Sequence, residues 1–322
     1  MAIIEVQHLE HTYRTRGVRG RPSHEVAALR DISFEVTQGQ VFGFLGPNGA
    51  GKTTTLKILA TLLDPAGGSV TVDGFALTEH NLVEIRRRIG FTFGGDRGLY
   101  GRLSAIDNLF YFADLYGVDP KIVRQRAANI LELVGLTDRA QDRVETFSRG
   151  MKQRLHIARV LIHDPLVVLL DEPTVGMDPS MAREVRRIIR QLALRGKTVV
   201  LSTHYMREAE AVCDTVLVIA KGRILHSGSP QNLFDTWGGV TVFEVSGAEA
   251  LFSALDDIRV LPGVLGADLD LSSQRGIMTL YVERGINELQ LLASLEQLGA
   301  AYVTRRVPTL EDAYLRCVGS HA

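Results

Sequence analysis

Apolar residues come in short runs over the first two-thirds of the chain, each closed by a polar or glycine-rich break. Ile3–Val6, Ile32–Val36 and Val41–Leu45 read as strands, and Ser69–Val72 reads as a strand closed by the turn Asp73-Gly74. Thr54–Leu63 has helical character. From about Leu82 to Leu136 the chain is helix-rich, with FYFADLYGV and RQRAANILELVGL placing apolar residues at helical spacing. Beyond Phe147 the pattern alternates: a helix to Ile162, a strand at Leu166–Leu170, a helix at Met181–Arg195 and a strand at Thr198–Ser202. A short helix at Arg207–Val212 and a strand at Thr215–Ile219 continue it. Such alternation predicts an α/β fold, a mainly parallel sheet with helices on its faces.

The rhythm breaks at Ser227–Gly239, SGSPQNLFDTWGG, whose Gly, Ser and Pro content predicts a domain boundary. Strands at Val240–Val245, Leu265–Leu271, Ile277–Val282 and Tyr302–Arg306 follow, with helices at Ile286–Leu298 and Leu310–Val318. They predict a small α+β domain, ferredoxin-like in its order of elements. The expected division is a large unit over 1–228, a linker at 229–239 and a small domain over 240–322.

The chemistry concentrates at the ends of the predicted strands. After Val41–Leu45 comes Gly46-Pro47-Asn48-Gly49-Ala50-Gly51-Lys52-Thr53-Thr54, which has the spacing of a phosphate-binding loop between a strand and a helix. Glycines let the backbone wrap an anion and aim successive N–H groups at its oxygens, and the helix adds the positive end of its dipole. Lys52 supplies a mobile charge for the β- and γ-phosphates of ATP, and Thr53 offers a hydroxyl to Mg²⁺. Asp171 closes the run Val167–Leu170, so its carboxylate falls at the carboxyl end of a buried strand, where ligands of parallel sheets gather. Asp171 reads as the second metal-holding group and Glu172 as the general base that orients and activates the attacking water. His204, after the run TVVLS, reads as a sensor of the γ-phosphate.

Composition adds exclusions. The chain has 322 residues, 45% hydrophobic and 23% charged, with a net charge of −1, so bulk charge offers no argument for nucleic acid or acidic lipid. Two cysteines, Cys213 and Cys317, imply no disulfide framework. The start, MAIIEVQHLEHTY, lacks the pattern of a secretory leader, and no apolar run approaches the roughly 18–20 residues of a membrane span. The basic run Arg14–Pro22 reads as a solvated loop.

Phe147-Ser148-Arg149-Gly150-Met151, just upstream of Asp171-Glu172, completes a set that resembles the ATP-binding-cassette (ABC) family over about Ile3–Gly228. It matches the family signature, which reads Leu-Ser-Gly-Gly-Gln in many members. Ser148 also suits the N-cap of the helix from Met151 to Ile162, which turns its hydroxyl and the adjoining N–H groups toward an anion. The resemblance implies a P-loop cassette with a mainly parallel core, an antiparallel β edge and a helical subdomain at about 95–162. It also implies that Ser148, Arg149, Gly150 and Met151 meet ATP held by a second copy. It further assigns Tyr13 to adenine stacking, Met177-Asp178 to a loop linking the two sites across the dimer, and His204 to the switch histidine. The family's metal-contacting Gln falls at Gly95, which leaves Asp96 or a water to substitute, or metal binding to rest on Thr53 and Asp171 alone. The closing PTLEDAYLRCVG resembles subunits of drug-efflux and antibiotic self-resistance exporters.

The implied function is an ATPase subunit with ATP and Mg²⁺, paired with a second cassette and a separate multi-span permease at the cytoplasmic membrane face. No nucleic acid partner is expected. Nothing in the chain shows the sustained heptads of DNA-structuring ABC ATPases, and one phosphate loop stands where translation-associated members carry two.

Overall fold

The computed structural model describes residues 1–15, 24–92, 98–247, 251, 253–270 and 277–319. They form two compact units, Met1–Ser229 and Pro230–Ala322. Gly95, Asp96 and most of the Arg14–Pro22 run lie outside the described residues.

In the first unit, β1 (Ala2–Thr15) and β2 (His24–Thr37) pair as a long antiparallel ribbon. With β4 (Gly67–Val72) and β5 (Phe75–Ala76) they make a four-stranded sheet in the order β2-β1-β4-β5. A second sheet holds β3 (Val41–Leu45), β6 (Ile89–Thr92), β7 (Val167–Asp171), β8 (Thr198–Thr203), β9 (Thr215–Ala220) and β10 (Arg223–Gly228). Its order is β10-β9-β3-β8-β7-β6, parallel throughout except for the β9–β10 hairpin. β3, β7 and β8 are buried at every position, as strands covered on both faces must be. The two sheets share a core in which Phe34 stacks on Phe42 and meets Phe44 edge-on.

The crossovers are α1 (Lys52–Leu59), α2 (Leu82–Arg88), α3 (Ala105–Leu115), α4 (Pro120–Leu133), α5 (Arg149–Leu161), α6 (Pro179–Leu194) and α7 (Met206–Val212). Their starts are written locally. Ser104 caps α3, and Asp119 and Asp178 cap α4 and α6, each of the latter followed by proline at the first helical position.

Beyond the two-residue β5, which the sequence reading also lacked, two strands differ from it. β6 lies inside the stretch expected to be helical, and β10 was not expected. β6 is four residues of Ile-Gly-Phe-Thr that, among the described residues, pair only with β7, far away in sequence, so its signal is tertiary.

The second unit runs β11 (Val240–Gly247), α9 (Leu255–Arg259), β12 (Val264–Asp270), β13 (Ile277–Glu283), α10 (Glu288–Gln297) and β14 (Ala300–Arg306). The fully antiparallel order β12-β13-β11-β14 with two crossover helices is the ferredoxin-like arrangement. Its core joins Phe243, Val245, Met278 and Leu280 to Ile258, Leu291 and Leu295. Flanking it are α8 (Pro230–Trp237) and α11 (Leu310–Gly319), which pack together. The expected linker at 229–239 is thus mostly α8. Pro230 opens the helix at a position that needs no N–H, and Leu233 is fully buried.

Candidate functional site

The parallel register brings the carboxyl ends of three strands into line. Leu45 of β3 pairs with Thr203 of β8, and Asp171 of β7 pairs with Ser202. Lys52, Thr53, Asp171, Glu172 and His204 all follow from this edge.

The loop after β3 is shaped by its glycines. A Cβ on Gly46 would lie 2.2 Å from the Ile219 carbonyl oxygen, and one on Gly51, at φ +115°, 2.6 Å from Leu29 Cδ2. Only glycine allows the loop to turn this tightly against β2 and β9. Gly51 caps α1 with no side-chain acceptor, so the first-turn N–H groups remain available to an external anion. Lys52 is 4% exposed and folds back on its own loop, its Nζ donating to the carbonyls of Gly46 at 2.5 Å and Pro47 at 3.1 Å. Burial pushes its pKa down, against the pull of Glu172 and Asp171. Thr54 is buried beside it, and the Tyr13 hydroxyl lies 3.2 Å from Thr54 Oγ1. The Tyr13 ring, edge-on to His11 at 4.8 Å and 38% exposed, offers an open aromatic surface beside the loop.

Asp171 accepts two hydroxyl hydrogen bonds on Oδ1, from Thr53 at 3.0 Å and Ser202 at 2.6 Å. Ser202 Oγ in turn accepts the Glu172 N–H at 2.9 Å. Ser202 is a site residue that the sequence reading missed. Its signal was a polar residue closing the apolar run TVVL, one position before the edge. The Thr53 hydroxyl and the Asp171 carboxylate are hard oxygen donors held together, a set that fits a Mg²⁺ ion keeping most of its waters.

Glu172 stands between Lys52 and His204. Its Oε1 is 3.9 Å from Lys52 Nζ and 3.2 Å from His204 Nδ1. Its backbone takes φ +46°, the left-handed region that costs a glutamate energy and re-aims the side chain as the chain leaves β7. The His204 ring is backed by Tyr205 at 4.2 Å. Structure thus gathers Lys52, Thr53, Asp171, Glu172 and His204 into one cluster.

The signature segment forms a separate helix start. Ser148 caps α5, accepting the Met151 N–H at 3.3 Å, and both Ser148 and Arg149 are exposed. Gly150 is buried against Met181 of α6, where a Cβ would sit 2.5 Å from Sδ. Met177 ends a turn, donating to Thr174 O at 3.2 Å. Asp178 accepts the N–H groups of Ser180 and Met181 at 2.9 and 3.0 Å, and these bonds with the Ser180 hydroxyl hold its carboxyl below its ordinary range. Among the described residues, Ser148 makes no hydrogen bond to the phosphate loop of the same chain.

Residues 29–175, from β2 past Glu172, match the sequence model of the ABC transporter family. The ATP-binding protein NatA of Bacillus subtilis is 43% identical over 66% of this chain and 85% of its own length. The linearmycin resistance ATP-binding protein LnrL of the same organism is 34% identical over 90% and 93%. The Nod factor export ATP-binding protein I of Cupriavidus pinatubonensis is 37% identical over 92% and 87%. Among solved structures, the dimeric cassette MJ0796 in a post-hydrolysis state with ADP and Pi aligns at TM-score 0.62 and 26% identity, over 70% of this chain and 98% of that one. CbiO1 of Clostridium perfringens aligns at 0.65 and 27%, over 73% and 91%. On this similarity, and with the phosphate loop and Asp171-Glu172 inside the matched span, the chain belongs to the ABC transporter family as an ATP-binding, ATP-hydrolysing subunit.

Proposed function

We propose that two copies of this chain close head to tail around two ATP molecules and so drive a separate membrane-spanning export subunit. The carrying observation is the placement of Glu172 between Lys52 and His204 on a strained backbone. In this reading the loop Gly46–Thr54 wraps the phosphates while Lys52 leaves the carbonyls of Gly46 and Pro47 for the β- and γ-oxygens. Tyr13 stacks on adenine. Thr53 and Asp171 would hold Mg²⁺, whose charge offsets that of the phosphates. Glu172 takes the proton of the attacking water, and His204, in contact with Glu172 Oε1, orients it and meets the γ-phosphate.

The remaining donors come from the mate. Ser148, Arg149 and the N–H groups of Gly150 and Met151 face its γ-phosphate, and Met177-Asp178 link the two sites. Nucleotide therefore contributes part of the interface, and hydrolysis removes it, a two-state element biased by the γ-phosphate. The export reading is supported by similarity to relatives named for Nod factor export and linearmycin resistance. With no long apolar helix among the described residues, association with the membrane falls to the partner.

The test is size-exclusion light scattering of the Glu172→Gln protein, which should keep ATP uncleaved. A dimer at saturating MgATP that dissolves without nucleotide is the expected result. A protein monomeric under both conditions would overturn the reading.

A further inference from the structure

Arg149 and Gly150 follow the capping Ser148, and both engage the segment that runs on from Glu172. A Cβ on Gly176, at φ +69°, would lie 2.3 Å from Arg149 Nη1 and 2.6 Å from both Cζ and Nη2. Three guanidinium atoms therefore lie in the space that a side chain at Gly176 would occupy. In the other direction, a Cβ on Gly150 would lie 2.5 Å from Met181 Sδ and 3.0 Å from Met181 Cγ. Each segment thus supplies a glycine to receive the other's side chain.

What this clasp holds is short and taut. From Glu172 the chain makes two consecutive turns, Val175 N–H to Glu172 O at 3.3 Å and Met177 N–H to Thr174 O at 3.2 Å, before Asp178 caps α6. Both bonds are long for backbone, so the turns gain little from them alone. Their near end fixes the backbone of Glu172. Their far end is pinned by Arg149 and Met181.

We propose that Arg149 is a positioning residue: lying on Gly176, it couples the signature turn to the loop that sets Glu172 of the same protomer. The inference rests on the head-to-tail reading above for its consequence. A partner's γ-phosphate arriving at Ser148 meets a guanidinium already attached to the loop of the next active site. Nucleotide in one site thereby bears on the base of the other. A planar fork is required. The point charge of lysine serves a phosphate but lacks the broad planar group that fills the space beside Gly176.

Three variants decide it, with thermal midpoints as the control for folding. In nucleotide-free protein, amide hydrogen exchange at Val175 and Met177 should rise severalfold in Arg149→Ala and stay raised in Arg149→Lys. In turnover, both should lower kcat on the order of tenfold or more with KM for MgATP nearly unchanged, as expected when a base is misplaced. Gly176→Ala, which displaces the guanidinium from the other side, should reproduce the kcat loss. Its cost should fall when Arg149 is already Ala. Unchanged exchange in Arg149→Ala would overturn the inference, as would recovery of kcat by lysine, which would make the residue a phosphate-facing charge only. Failure of the dimer reading itself shows differently: Ser148→Ala would then leave turnover intact whatever Arg149 does.

Discussion

At the scale of single residues, Glu172 combines a backbone at φ +46° with a carboxylate touching Lys52 and His204. Such strain persists only where surroundings over-determine it, and here the Ser202 hydroxyl pins the Glu172 N–H while steadying Asp171. Replacing Glu172 by Gln keeps the shape and removes the base. We expect kcat to fall on the order of 10²- to 10⁴-fold with ATP affinity retained, read by phosphate release and equilibrium titration. The loop glycines should separate by their surroundings. Gly46→Ala drives a methyl to 2.2 Å from the Ile219 carbonyl, whereas a Cβ on Gly49 meets nothing within 4 Å. Thermal unfolding without nucleotide should show Gly46→Ala strongly destabilised. Gly49→Ala, at φ +80°, should lose only the strain of a left-handed alanine, about 1–2 kcal/mol.

At the scale of elements, what the sequence made legible was whatever its local signals encode. β3, β7 and β8 read as apolar runs because both faces are buried, whereas the Asp-Pro starts of α4 and α6 went unread. Lys52, Thr53, Asp171 and Glu172 were legible because each sits beside such a run. β6, β10, α8 and Ser202 were not, since their reasons are long-range: β6 exists through β7, and Ser202 matters through Asp171. The closing PTLEDAYLRCVG, singled out by resemblance, has a physical cause in its own unit. Thr309 and Asp312 bond reciprocally at the start of α11, a capping box, and Arg306 grips Asp312 with two hydrogen bonds at 2.6 and 2.8 Å. Burial pushes the Asp312 carboxyl up, but Arg306 and Thr309 outweigh it and hold it low. Asp312→Ala leaves Arg306 with Glu244 and the Val307 carbonyl and should lower stability by about 2–3 kcal/mol in urea titration.

His163, just after α5, reports on acid. It stacks on Tyr116 at 3.9 Å, its Nε2 lies 3.1 Å from Ile89 O, and burial pushes its pKa down to about 4. The unfolded chain takes up this proton near 6.5 and the folded chain only near 4. The unfolded state therefore binds more protons between those values, and stability is lost as pH falls from 6.5 toward 4. His163→Phe keeps the stack and should flatten that part of the profile of thermal midpoint against pH.

At the scale of the whole molecule, the two units each carry their own core, and α8 belongs to the second. Where the chain is cut should therefore matter. Ending it at Ser229 should leave a folded cassette that binds ATP. Ending it at Gly239 strands α8 without α11 and uncovers Leu233, so that form should melt earlier and aggregate. The central claim is that neither copy alone surrounds the terminal phosphate, and complementation tests it most directly. One protomer carries Lys52→Ala and the other Ser148→Ala, each close to inactive by itself, and the two are mixed and followed through a single turnover. A mixed dimer holds one site with an intact loop from one copy and an intact serine from the other, so hydrolysis should return on mixing. If mixing restores nothing while wild-type protein turns over normally, Lys52 and Ser148 serve within one chain and the shared site is wrong.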